Sequence, residues 1–237
     1  MIRNCRIGYD SGGFDDTGIV IHNATNVIID HCEISSRESA IVVNDSQDCS
    51  LKNNEIDTNN VGIEIDQSSN VSIENNTISN SWQYGLLIDK SSLVNIRGCN
   101  VTNNENGMYF NESNSNTVYE NNMIENYKHG IRLLDVLCNN NTFVGNEMYS
   151  NENARDDGSD NHWDNGIDRG NIWGDYSGSG FYYIPGSAGS IDHYPNTTTN
   201  HTSTIPEDWT ILIVGIAVLS TTIIVVIFVL VLKRPSS

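Results

Sequence analysis

The stretch GIEIDQSSNVSIENNTISNSWQYGLLIDKSSLVNIRGCNVTNNENGMYF, residues 62 to 110, decides the fold. One short phrase returns in it: GIEI at 62, GLLI at 85 and GMYF at 107. Reading outward, GIVI at 18, AIVV at 40 and GIRL at 130 extend the series, so successive units begin 22 or 23 residues apart. A fixed period of this length marks a solenoid, in which each unit buries its apolar face only against its neighbours. Every unit carries two further apolar segments. The second is VII at 27, CSL at 49, VSI at 71, VNI at 94, TVY at 117 and TFV at 142. The third ends at Ile34, Ile56, Ile78, Val101, Ile124 and Met148. Alternation inside a segment has period two, Ile63 and Ile65 facing one way and Glu64 the other, as in a half-buried strand. Three short strands per unit predict an all-β, right-handed parallel β-helix of about six rungs over residues 1–152.

The corners agree with this reading. The position before the third strand holds His31, Asn53, Asn75, Gly98, Asn121 and Gly145, largely the residue types that tolerate a left-handed backbone. The next position holds Cys32, Asn54, Asn76, Cys99, Asn122 and Asn146, which predicts an inward ladder of side chains hydrogen-bonded from rung to rung. The opening MIRNCRI repeats the third-strand pattern, with Asn4, Cys5 and Ile7 standing where His31, Cys32 and Ile34 stand. The expectation is therefore that more rungs and an export signal lie upstream.

The C-terminal composition is of another kind. From Trp209 to Leu232 the run WTILIVGIAVLSTTIIVVIFVLVL has no ionisable side chain and is long enough for a transmembrane helix. Lys233 and Arg234 follow it while Glu207 and Asp208 precede it, placing residues 233–237 in the cytoplasm and the rest outside a cell membrane. Residues 196–208, rich in Thr and Asn, read as a polar tether. Removing the two flanking cations leaves 10 Lys+Arg against 30 Asp+Glu, a balance of −20 for the exposed part. Such a surface excludes nucleic acid as a partner, because phosphate backbones are bound by clustered Lys and Arg. Five cysteines without tight spacing do not form a disulfide scaffold or a zinc motif. Asn-x-Ser/Thr sequons begin at Asn23, Asn44, Asn70, Asn75, Asn100, Asn111, Asn140, Asn196 and Asn200, as in an exported glycoprotein.

Between rungs and tether lies NARDDGSDNHWDNGIDRGNIWGDYSGSGFYYIPGSAGSIDHYP, residues 153–195, expected to cap the open core. With Asn161, Trp163, Asp164, Gly166, Gly170, Asn171, Trp173, Asp175 and Tyr176, then Ile184 to Gly189 with Asp192, Tyr194 and Pro195, this segment resembles the NosD-like parallel β-helix family. That family is also described as carbohydrate-binding and sugar-hydrolysis repeats. The resemblance implies the β-helix fold, an archaeal surface location and contact with polysaccharide or surface proteins. NosD proteins proper imply copper handling, for which no Cys/Met/His cluster is visible in the sequence.

Candidate chemistry is sparse. Asp66 and Asp89 fall on the edge column His22, Asn44, Asp66, Asp89, Asn111, one rung or about 5 Å apart, a spacing that suits a retaining glycosidase pair or a Ca²⁺ site. The same column has a plain structural reading, since strand ends favour Asp and Asn for bonds to turn backbone. Trp163 and Trp173 fit either a cap over the last rung or a platform for sugar rings. His162 and His193 read as surface or cap residues. The loop carboxylates Asp15, Asp16, Asp156, Asp157 and Asp160 are candidate Ca²⁺ ligands or solvated charge. The leading expectation is a non-enzymatic surface module for adhesion or carbohydrate binding. The alternatives are a hydrolase or lyase of the β-helix class and a copper accessory.

Overall fold

A computed structural model describes residues 1–8, 16–35 and 37–197, together with two strands, Trp209–Ile213 and Val229–Lys233. Residues 1–198 form one unit and 199–237 a second. The first is an all-β, right-handed parallel solenoid of about eight turns, with no helix among its described residues. Its three sheets follow the three apolar segments of each unit. The first holds seven strands, from Ile19–His22 to Glu152–Asp156; the second seven, from Ile2–Arg3 to Thr142–Val144; the third nine, from Arg6–Ile7 to Asn196–Thr197. Pairing is parallel and in register, as with Ile63↔Leu86, Glu64↔Leu87 and Ile65↔Ile88.

The solenoid has about eight turns rather than the expected six, and its N-terminal strand is the one that the match of Ile7 to Ile34 predicts. Arg6–Ile7 pairs with the third strand of the next rung through Arg6↔Glu33 and Ile7↔Ile34. Strands of residues 153–195 join the sheets: Ile131↔Ala154 adds a strand to the first sheet, and Met148↔Trp173 adds one to the third.

The core is a stack of like residues. Ile29, Leu51, Ile73, Ile96, Val118 and Phe143 line the second sheet, all fully buried, and Ile56, Ile78, Val101, Met123, Met148 and Trp173 line the third. Burying a side chain of this kind contributes roughly 1.5–3 kcal/mol, and each is covered by its homologue one rung away. Glycine opens most first-sheet strands because rungs approach closely there. A Cβ on Gly62 would lie 2.4 Å from the Gly85 carbonyl, and one on Gly107 would lie 2.5 Å from that of Gly130.

Four corners per turn obey one rule: a left-handed residue is followed directly by an inward side chain. Asp48, Asn70, Leu93, Ser115 and Asn140 have positive φ in one column, and Thr58, Asn80, Asn103 and Glu125 in another. The fifth unit corrects the expected ladder. Its left-handed residue is Glu120, at φ 57°, not Asn121. Asn121 is the inward residue: its Oδ1 accepts the Cys99 N–H at 2.9 Å, and its own N–H donates to Asn146 Oδ1 at 3.1 Å. Asn122 starts the strand and donates outward to Asn100 Oδ1 at 2.8 Å, and the core residue is Met123 rather than Ile124. Adjacent Met123 and Ile124 offer two alternation frames, and packing against Val101 and Met148 selects the first.

The second unit is described only as two short strands, Trp209–Ile213 antiparallel to Val229–Lys233. The continuous helix expected over 209–232 is therefore not shown, and residues 214–228 lie outside the described ones, as do Asp15 and the sequon at Asn200. Among the described residues no helix is long and apolar enough to cross a membrane.

Candidate functional site

The corner after the third sheet carries a long groove. Each unit there runs left-handed residue, inward residue, outward residue: Asn80, Ser81, Trp82 in one rung and Glu125, Asn126, Tyr127 two rungs on. Backbone bonds hold the outward places in line, Trp82 N–H to the Asn59 carbonyl at 2.9 Å, Glu105 to Ser81 at 3.0 Å and Tyr127 to Asn104 at 2.8 Å. Trp82 and Tyr127 are 66% and 67% exposed. Two strand spacings separate their rungs by roughly 10 Å. One part of the groove is lined by Thr58, Asn80, Ser81, Trp82, Asn103, Glu105 and Tyr127. Its neighbour shares Tyr127 and adds Glu125, Tyr149, Asn151 and Asp175.

Polar groups along the groove are mostly spoken for. Lys128 pairs with Glu105, and Asp175 Oδ1 accepts the Asn153 amide at 2.6 Å and the Tyr182 hydroxyl at 3.0 Å. Ser81 is the exception: it stands in a ladder column shared with Arg37, Asn59, Asn104, Asn126 and Ser150, and its buried hydroxyl has no partner among the described residues. In the same column Asn104 Nδ2 donates to the Ile78 carbonyl one rung away at 3.2 Å, and Ser150 Oγ donates to the Met123 carbonyl at 3.1 Å.

This groove escaped the sequence reading. Its signal was present: Trp82 and Tyr127 each stand four residues after a third-strand core residue, Ile78 and Met123. The slipped frame of the fifth unit hid the match.

Asp66 and Asp89 are brought together as register partners on the first-sheet edge. One oxygen of Asp66 and both of Asp89 are engaged by neighbours. Asn44 Nδ2 donates to Asp66 at 2.7 Å, Asn111 Nδ2 donates to Asp89 at 2.7 Å, and Lys90 lies 3.2 Å from Asp89. Neither lines the groove. The amide nitrogens of the sequon residues Asn44, Asn70 and Asn111 are likewise donated, to Asp66, Asp48 and Asp89.

The C-terminal motif closes the core. Trp163 and Trp173 are buried, so the sugar-platform reading is overturned: neither ring offers a face to a ligand. They join a column of rings, Phe143 stacked on Trp163 at 4.3 Å and Trp173 stacked on Tyr182 at 3.9 Å, that fills the end of the tube. Each indole N–H is spent on a buried carboxylate: Trp163 Nε1 donates to Asp156 Oδ2 and Trp173 Nε1 to Asp192 Oδ2, both at 2.9 Å. Asp156 continues the inward column of Leu133 and also accepts Ser190 Oγ at 2.7 Å. Burial raises the Asp192 pKa despite bonds from the Asn171 and Tyr194 N–H groups. Asp157 binds Arg132 at 2.6 Å and the Ser187 N–H at 2.7 Å. Asp156 and Asp157, read from sequence as candidate Ca²⁺ ligands or solvated loop charge, are thus committed to the cap. His193 Nδ1 lies 2.8 Å from Asp164 Oδ2, a cap contact.

Among the described residues copper finds no fitting donor set. Met108, Met123 and Met148 are fully buried in the core, and the five cysteines are spread over separate rungs. Burial pushes the Cys99 thiol up to about 11, and burial with the neighbouring Cys32 thiol pushes Cys5 up to about 12, opposing the thiolate a metal needs. Among the described residues no group of three or more His, Cys, Asp or Glu is placed to hold a metal ion.

Solved structures similar to this chain include mannuronan and alginate epimerases. The A-module of mannuronan C-5 epimerase AlgE6 from Azotobacter vinelandii aligns with a TM-score of 0.60 and 13% identity, over 83% of this chain and 55% of that one. A variant of the periplasmic alginate epimerase AlgG aligns with a TM-score of 0.58 and 20% identity, over 77% and 48%. The AlgE4 A-module from A. vinelandii aligns with a TM-score of 0.56 and 16% identity, over 84% and 58%. The chain therefore spans about half the length of these structures, and the likeness is one of fold. Curated proteins give no match. The family described as periplasmic copper-binding protein (NosD) matches residues 1–178, and the chain belongs to that family.

Proposed function

We propose that this chain is a membrane-anchored, extracellular β-helix whose corner groove binds carbohydrate without catalysing its breakdown. The observation that carries this reading is the pair of exposed rings, Trp82 and Tyr127, aligned along the rod in one groove. Aromatic faces pack against the C–H faces of pyranose rings, and flanking carboxylates and amides take the hydroxyls. A separation on the order of 10 Å, two strand spacings, matches alternate units of a linked hexose chain. Repetition of the fold along its axis suits a repeating ligand. The anchor rests on the 209–232 run and its flanking charges. Catalysis at Asp66 and Asp89 has less to support it, because an amide from Asn44 or Asn111 already holds one oxygen of each.

The test is binding of the full chain in detergent micelles to a panel of polysaccharides, by affinity electrophoresis and calorimetry. Trp82→Ala and Tyr127→Ala should each weaken the best ligand roughly tenfold, about 1.4 kcal/mol, while far-ultraviolet circular dichroism stays unchanged. Silence across the panel, or binding indifferent to both substitutions, removes the groove from the reading. The anchor is tested by alkaline extraction of membranes: the full chain should stay with the lipid, and a chain ending before Trp209 should be released.

A further inference from the structure

The charge along the groove selects among sugars. We infer that it accepts neutral hexose chains and rejects polyuronates, an inference that rests on the carbohydrate reading above. None of the residues lining either part of the groove is basic, whereas Glu105, Glu125 and Asp175 all are acidic. The nearest ammonium, on Lys128, is held by Glu105. A uronate in every sugar unit would bring a carboxylate beside Glu125 or Asp175 with no cation to offset it, and like charges across an interface disfavour binding strongly.

A neutral chain meets complementary groups instead. The Glu125 carboxylate is exposed beside Tyr127 and accepts hydroxyl donors, and charge-assisted bonds of this type are the stronger class. The exposed part's balance of −20 acts in the same direction at long range, lowering the local concentration of polyanions.

The experiment uses the full chain in neutral detergent at low ionic strength with three oligosaccharides of equal length: a neutral β-linked glucan, oligoalginate and oligochitosan. The neutral chain should bind at least about tenfold more tightly than oligoalginate, with little dependence on salt. Glu125→Gln should narrow that gap from both sides, weakening the glucan about two- to fivefold and strengthening alginate. Oligoalginate binding as tightly as the glucan, and lost in Trp82→Ala, overturns the selectivity and leaves the groove intact. Oligochitosan binding far more tightly than the glucan and collapsing in salt overturns it too, because amine capture would then replace hydroxyl recognition. Absence of binding by all three defeats the carbohydrate reading itself.

Discussion

Asn121 and Asn122 are neighbours of the same type, yet alanine at the first should be far costlier than at the second. Asn121 is fully buried. Its Oδ1 accepts the Cys99 N–H at 2.9 Å, and its Nδ2 donates to the Ile96 carbonyl at 3.0 Å, the Tyr119 carbonyl at 3.1 Å and Asn146 Oδ1 at 3.0 Å. Truncation leaves the Cys99 amide inside the protein without an acceptor, at a cost of about 1–3 kcal/mol, and the lost bonds to buried carbonyls add about 0.5–1.5 kcal/mol each. Some of those carbonyls keep a ladder partner, so Asn121→Ala should cost about 3–5 kcal/mol in all. Asn122 donates one exposed bond, to Asn100, and its replacement should cost less than about 0.5 kcal/mol. Urea unfolding of the full chain in detergent, followed by circular dichroism, reads the difference as a shift of midpoint at constant slope. Asn121→Cys should fall between the two, since Cys32 and Cys99 occupy the same column. Equal losses for Asn121→Ala and Asn122→Ala, or a larger loss for the second, would refute the fifth-rung register and the ladder built on it.

Three further outcomes are expected. Trp163→Phe keeps the stack on Phe143 but deprives buried Asp156 of its indole donor, and should cost about 2–3 kcal/mol with a changed near-ultraviolet spectrum; a neutral result would deny the cap its hydrogen bond. Leu93, at φ 56° and 57% exposed, holds a left-handed corner that asparagine fills with less strain, so Leu93→Asn should raise stability by about 0.5–1 kcal/mol in the same urea assay; a loss would mean that its side chain packs usefully. Burial alone would raise the Asp157 pKa, but the Ser187 N–H and the Arg132 guanidinium outweigh it and bring it down to about 2. A lowered folded pKa gives stability that is complete above about pH 4 and lost as pH falls through about 2. After allowance for solvent screening, that stability is on the order of 1–2 kcal/mol. Asp157→Asn should flatten the acid limb of the stability profile, and an unchanged limb would mean that the pair contributes nothing.

The period of 22 or 23 residues, the alternation within each apolar segment and the stacking of like residues were all legible without coordinates. Each is a local pattern whose meaning does not depend on what lies across the molecule. The ladder through Asn54 and Asn76 was legible for the same reason, and so was the capping role of Trp163 and Trp173, as one of two readings that burial then resolved. Other features needed the tertiary structure. Ser46, Ser68, Ser91 and Ser113 form an inward ladder, as do Asn116, Asn141 and Asn161, yet by composition they are ordinary loop residues. What turns them inward is the left-handed residue before each, a backbone state that Gln67, Lys90 and Leu93 adopt with little sign in their chemistry. Asp156 reads as a loop charge until Leu133 aligns with it and sets it in the core column. Trp82 and Tyr127 lie 45 positions apart in the chain, and only when the rungs are stacked in their true register do they share one groove. Short-range alternation thus specifies what a strand buries, whereas the neighbours of a corner residue are set by the rung that folds beside it.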